Sequence, residues 1–137
     1  MAGIRLGFAA STPAWIDAIN KVRPPYNVNG LTQETARFLL EHRALFDGQT
    51  AQLRQERQRL VDRLRAFPAL EQFASEANFI TVRVADADDL FVFLKKAGIL
   101  IKNLHGSHPM LEQCLRLTVG TPDENDAVLA ALTAYFD

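Results

Sequence analysis

Between Leu31 and Phe67 the chain has no proline and one glycine, Gly48, and is dominated by Arg, Gln, Glu and Leu. A stretch of that length and composition has few options besides helix. Leu39, Phe46, Leu53, Leu60 and Phe67 recur at strict seven-residue spacing, flanked by Leu40, Leu45, Val61 and Leu64. That is one narrow apolar stripe with wet, charged flanks. The pattern predicts a long helix over 31–67, bent or broken near Gly48 and stopped by Pro68.

The segments on either side read differently. Ile4, Leu6 and Phe8 alternate with Arg5, Gly7 and Ala9, a period of two that predicts a strand. A first strand so close to the start, with no lead-in, suggests a piece of a longer protein. Ser11-Thr12-Pro13 then opens a short helix carrying Trp15, Ile16 and Ile19. Arg23-Pro24-Pro25-Tyr26-Asn27-Val28-Asn29-Gly30 must be an extended loop, because its prolines and glycine forbid helix.

After Pro68 the expected order is β-α-β-β-α. A strand runs from Phe79 to Val84. Asp86 caps a helix that carries Leu90, Phe91 and Leu94 and stops at Gly98. Ile99 to Lys102 is a short strand, Asn103 to Pro109 a polar loop, and Leu115, Leu117 and Val119 mark a further strand. Thr121-Pro122-Asp123-Glu124 is a capping box that starts the last helix, with Val128, Leu132, Tyr135 and Phe136 on its buried side. There is no internal repeat.

Composition narrows the function. With 15 basic against 16 acidic residues, a net charge of −1 and 48% hydrophobic residues, the 137-residue chain has neither the basic footprint of a nucleic-acid or membrane-surface binder nor the polarity of a disordered one. One cysteine excludes an internal disulfide and suits the cytoplasm. No apolar run approaches the ~18 residues of a membrane span.

Three cations stand out. Arg5 lies on the polar side of its predicted strand between Gly3 and Gly7, where small neighbours let a phosphate approach; the plain alternative is an exposed strand arginine. Arg116 sits mid-strand between leucines, suited to a planar anion such as a carboxylate, or else snorkelling to solvent. Lys102 ends the preceding strand before the polar loop and could bind a second anion, or simply face water. His105, His108, Glu112 and Cys114 invite a zinc reading, but their spacing matches no standard finger or protease pattern, so a polar loop is favoured and no metal is expected. His42 reads as a surface residue and Cys114 lacks a base to activate it. No Walker loop, dinucleotide fingerprint or HExxH is present.

The segments Ala2-Gly3-Ile4-Arg5-Leu6-Gly7-Phe8, Arg23-Pro24-Pro25-Tyr26-Asn27-Val28-Asn29, Ala77-Asn78-Phe79-Ile80 and Cys114-Leu115-Arg116-Leu117-Thr118-Val119-Gly120-Thr121-Pro122 occur in this order. Together they resemble the C-terminal portion of the histidinol-phosphate aminotransferases, which are fold-type I pyridoxal-phosphate enzymes. The resemblance implies an α/β fold with an α+β small domain. Residues 1–30 would be the tail of the large cofactor domain, with a remnant strand. Residues 31–67 would be the connecting helix, and 68–137 the small domain. It implies that Arg5 binds the phosphate of pyridoxal 5'-phosphate, that Arg116 binds the substrate α-carboxylate, and that Lys102 helps hold the substrate phosphate. The family usually has arginine at that last position; lysine keeps the charge and loses the bidentate fork.

The Schiff-base lysine of the family belongs upstream of Ala2-Gly3, and Lys21, Lys95, Lys96 and Lys102 do not match its motif. No catalytic residue is therefore expected within the chain, which alone should be inactive. The intact enzyme is expected to be a cytoplasmic homodimer acting on histidinol phosphate and 2-oxoglutarate in histidine biosynthesis. Partners would be those substrates and the missing N-terminal region, without nucleic acid or membrane. Two alternatives remain open here. One is a sibling aminotransferase of aromatic or phosphorylated amino acids. The other is a non-enzymatic module self-associating through the seven-residue stripe, disfavoured by Arg and Thr at its matching d positions.

Overall fold

The computed structural model describes residues 2–137, which form two compact units meeting at Gly48–Gln49 within one helix. In the first, a single 3-10 turn spans Ala2–Ile4, followed by α1 (Pro13–Val22) and α2 (Gly30–Glu41). Proline at N1 launches α1 behind Thr12. The Asn29 side chain caps α2 by accepting from Thr32 N–H at 2.9 Å. The strand expected over Ile4–Phe8 does not form. Residues 6–11 carry no regular structure and Arg5 adopts a left-handed φ of 56°. A strand exists only where a neighbour accepts its backbone hydrogen bonds, and no described segment pairs with this one. No side chain from Gly3 to Gly48 is buried, and Phe8 and Tyr26 are 98% exposed.

The long helix expected over 31–67 is two helices. α3 runs Arg43–Leu64, and the break falls at His42, not at Gly48, which α3 absorbs. His42 leaves helical geometry (φ −105°, ψ 28°). Its ring Nδ1 lies 2.9 Å from the Phe38 carbonyl, and its ring stacks on that of Phe38 at 4.2 Å. The Phe38 carbonyl in this last turn thus meets the His42 ring as well as the His42 backbone N–H. A glycine inside a helix costs only ~1 kcal/mol relative to alanine.

The second unit, Gln49–Asp137, contains a four-stranded antiparallel sheet of order β1-β2-β4-β3. Its strands are β1 (Glu71–Gln72), β2 (Phe79–Arg83), β3 (Lys102–Asn103) and β4 (Cys114–Thr118). α4 (Ala87–Lys96) connects β2 to β3, and α5 (Pro122–Phe136) follows β4. Ile80 pairs with Leu117 and Val82 with Leu115 across β2 and β4. Those four face the core together with Leu60 and Leu64 of α3, Leu90 and Leu94 of α4, and Leu129 and Leu132 of α5. The predicted caps are present. Asp86 accepts from Asp89 N–H at 2.9 Å, and Thr121 and Glu124 form the reciprocal box.

The strand predicted over Ile99–Lys102 is instead Lys102–Asn103. Gly98 takes φ 82°, its N–H donates to the Lys95 carbonyl, and the Ile99 N–H donates to Leu94. That Schellman arrangement engages the backbone of Ile99 in ending α4, so pairing begins only at Lys102.

Candidate functional site

Side chains alternate across a strand, so the residues between the core positions share the opposite face of the sheet. In register these are Phe79 with Thr118, Thr81 with Arg116, Arg83 with Cys114, Lys102 with Arg116, and Glu71 with Arg83. Three cations occupy this face, and the structure treats them differently.

Arg83 is fully engaged. Its Nη1 donates to Glu71 at 3.0 Å, its Nε to the Glu112 carbonyl at 3.1 Å and its Nη2 to the Met110 carbonyl at 3.0 Å. The Glu71 carboxylate holds the guanidinium protonated above its ordinary range. Sequence reasoning missed this residue, whose work is to fasten the loop leading into β4.

Arg116 is half-buried, with no hydrogen-bond or ion-pair partner among the described residues; its Nε is completely covered and unbonded. A buried charged donor without an acceptor costs free energy unless something arrives to accept from it. Lys102, exposed, stands directly across β3–β4 from it and likewise has no described partner. Like charges directly opposite across a sheet repel. Two of the three expected binding cations are thus brought side by side.

The loop beyond Lys102 is tied down by its own polar groups. Asn103 donates to Asp88 at 2.6 Å and its side-chain oxygen accepts from His105 N–H. Gln113 N–H donates to His105 Nδ1 at 3.0 Å. Glu112 lies 3.1 Å from the same Nδ1. His108 Nδ1 accepts from Met110 N–H, and buried Cys114 contacts the Glu112 carbonyl through sulfur. Among the described residues no three His, Cys, Asp or Glu side chains converge as a metal site would require.

The far end of β4 is pinned by Asn125, which is 1% exposed. It accepts from Gly120 N–H at 3.0 Å and donates to the Gly120 carbonyl at 3.1 Å and to Glu56 at 2.9 Å. A Cβ at position 120 would press on the Glu124 side chain, which would have to shift from its place in the cap of α5. Glu56 also takes Arg59, whose Nη1 reaches Asp126. Arg59 and then Asn125 lower the Glu56 pKa, and the Thr121 backbone N–H lowers that of Glu124.

Arg5 belongs to the first unit. It is exposed, has no described partner, and lines a cleft of about 410 Å³ with Asn27, Asn29 and Thr32 at the start of α2.

Comparison with known proteins places these features in a family. The chain is 62% identical over 136 residues to a histidinol-phosphate aminotransferase of Chromobacterium violaceum, covering 99% of this chain and 38% of that protein. It is 52% identical over 132 residues to histidinol-phosphate aminotransferase 1 of Burkholderia lata, covering 96% and 37% respectively. The chain therefore spans less than two-fifths of the length of these curated relatives. The crystal structure of histidinol-phosphate aminotransferase from Sinorhizobium meliloti in complex with pyridoxal-5'-phosphate superposes with a TM-score of 0.76 at 23% identity, over 99% of this chain and 38% of that one. The architecture is that of the fold-type I aminotransferases. With the family model for aminotransferase class I and II matching residues 1–132, the chain belongs to the class I and II aminotransferases.

Proposed function

We propose that the chain is the C-terminal portion of a pyridoxal-phosphate-dependent aminotransferase that moves an amino group between histidinol phosphate and 2-oxoglutarate. The observation that carries the reading is Arg116, an unpaired guanidinium set mid-strand opposite Lys102, in a chain 62% identical to a histidinol-phosphate aminotransferase. In this reading residues 1–30 end the large domain, 31–67 connect, and 68–137 form the small domain that brings its cations to the substrate. Arg116 takes the α-carboxylate through its planar fork. Lys102 supplies charge to the substrate phosphate as a point donor.

Pyridoxal phosphate, when bound, supplies the electron sink for the chemistry at the substrate's α-carbon. Arg5 suits its phosphate end, in a cleft beside the N-terminus of α2. Its aldehyde end needs an amine held away from water, whereas Lys21, Lys95, Lys96 and Lys102 are all exposed. The described residues thus fit only part of the cofactor, and the Schiff-base lysine is assigned to the region upstream. The intact enzyme is proposed to be a cytoplasmic homodimer of histidine biosynthesis; no described helix is long and apolar enough to cross a membrane.

Arg116→Ala in the complete enzyme should raise KM for glutamate about 10- to 100-fold, the loss of a charge-assisted bidentate contact. Cofactor affinity should not change, and equal loss of both would sink the assignment. Transamination measured with histidinol phosphate and a panel of aromatic and phosphorylated amines then separates this enzyme from a sibling of other specificity. The 137-residue chain incubated with pyridoxal phosphate and reduced with borohydride should carry no covalent adduct.

A further inference from the structure

Two arginines on the open face of the sheet lie over two phenylalanines. Arg83 sits 5.0 Å from the ring centroid of Phe73, and Arg116 sits 5.2 Å from that of Phe79. Both are cation–π distances. The pairs differ in what else holds them. Arg83 has Glu71 and two carbonyls, so its ring is one contact among several. Arg116 has the Phe79 ring and no described polar partner.

Phe79 pairs directly with Thr118 and so stands diagonal to Arg116, two residues along β4. Only an aromatic or a long side chain reaches across that offset. We infer that Phe79 is a positioning residue for anion recognition. Its ring face sets the plane of the Arg116 guanidinium and keeps Nε covered, which leaves the terminal nitrogens to meet a carboxylate. The inference rests on the carboxylate role proposed above for Arg116.

The physical effect is preorganisation. A long flexible side chain loses rotamer freedom when a ligand fixes it, and that loss weakens binding. A guanidinium already lying on a ring has incurred the loss on folding. Leucine at position 79 would keep an apolar residue in the strand but has no π face. Tyrosine would keep the face.

The experiment has two parts. In the complete enzyme, Phe79→Leu should raise KM for glutamate about threefold to tenfold while kcat stays within about twofold. Phe79→Tyr should restore the parent KM, and Phe79→Leu should add nothing on top of Arg116→Ala. Additive effects of the two substitutions, or a leucine variant with unchanged KM, would overturn the role of Phe79. Arg116→Ala without effect on KM would overturn the carboxylate reading and this inference with it. An effect at Arg116 with a silent Phe79→Leu overturns this inference alone.

The second part reads the stack in the 137-residue chain without activity. The ¹⁵N-labelled Arg116 Nε–H should show a ring-current shift and slow solvent exchange in the parent and the tyrosine variant. It should lose both in the leucine variant. A random-coil Nε–H signal in the parent chain is by itself enough to refute the arrangement, whatever the variants do.

Discussion

Replacing Asn125 by alanine should unfold the second unit at much lower denaturant than the parent. The buried carboxamide makes three hydrogen bonds, two to the backbone of Gly120 and one to Glu56. Alanine removes all three and leaves the Gly120 N–H and carbonyl facing a small void. Each net bond contributes ~1 kcal/mol, and a buried donor left unsatisfied costs ~1–3 kcal/mol more. Glu56 keeps its contacts with Arg59, so its side of the network is spared. The two lost Gly120 bonds and the unsatisfied donor together give an expected loss of about 3–5 kcal/mol. With a urea slope of about 1 kcal/mol/M for a unit of this size, the midpoint should fall by about 3–5 M, followed by far-UV circular dichroism of the 137-residue chain. Asn125→Asp tests the same geometry by charge. It retains the acceptor for Gly120 N–H and sets a second carboxylate against Glu56, so its deficit should shrink as pH falls through the carboxylate range. An alanine variant within about 0.5 kcal/mol of the parent would mean that the strand-to-helix turn does not depend on this side chain.

The Tyr135 hydroxyl donates to Asp89 at 2.7 Å, and Asp89 pushes its pKa up to about 12. The stabilisation is complete below the ordinary value near 10 and should disappear as pH rises from there through 12; Tyr135→Phe should abolish that alkaline dependence in urea titrations. Glu56 and Glu124 have lowered pKa values, so their contribution is present above the ordinary carboxylate value of 4.5 and lost as pH falls through the lowered one. Acid unfolding of Glu56→Gln should therefore be flatter than that of the parent. Thr121→Ala removes the cap of α5 and should cost about 1 kcal/mol.

The features legible in advance were those decided by neighbours in sequence. Asp86 and the Thr121–Glu124 box follow from side chains reaching backbone three residues away, and β2 follows from its alternation. The misreadings share a cause: a competitor lay outside the local pattern. Alternation at Ile4–Phe8 meets no partner strand among the described residues. Gly48 looked weaker than His42, yet the break falls at His42, whose ring sits on the Phe38 carbonyl. Gly98 was recognised as a stop, but the Schellman bond that draws in Ile99 moved the start of β3. At the candidate site, Arg116 and Lys102 were visible as isolated cations. Their pairing, and the ring of Phe79 under one of them, depend on strand register and a diagonal contact that spacing along the chain does not contain.

The two outermost strands of the sheet, β1 and β3, are each only two residues long. An edge of that length exposes too few unpaired backbone groups to template another strand. The sheet is thus self-limiting: its cationic face can be presented broadside to small anions while its margins resist the edge-to-edge stacking by which unprotected sheets aggregate.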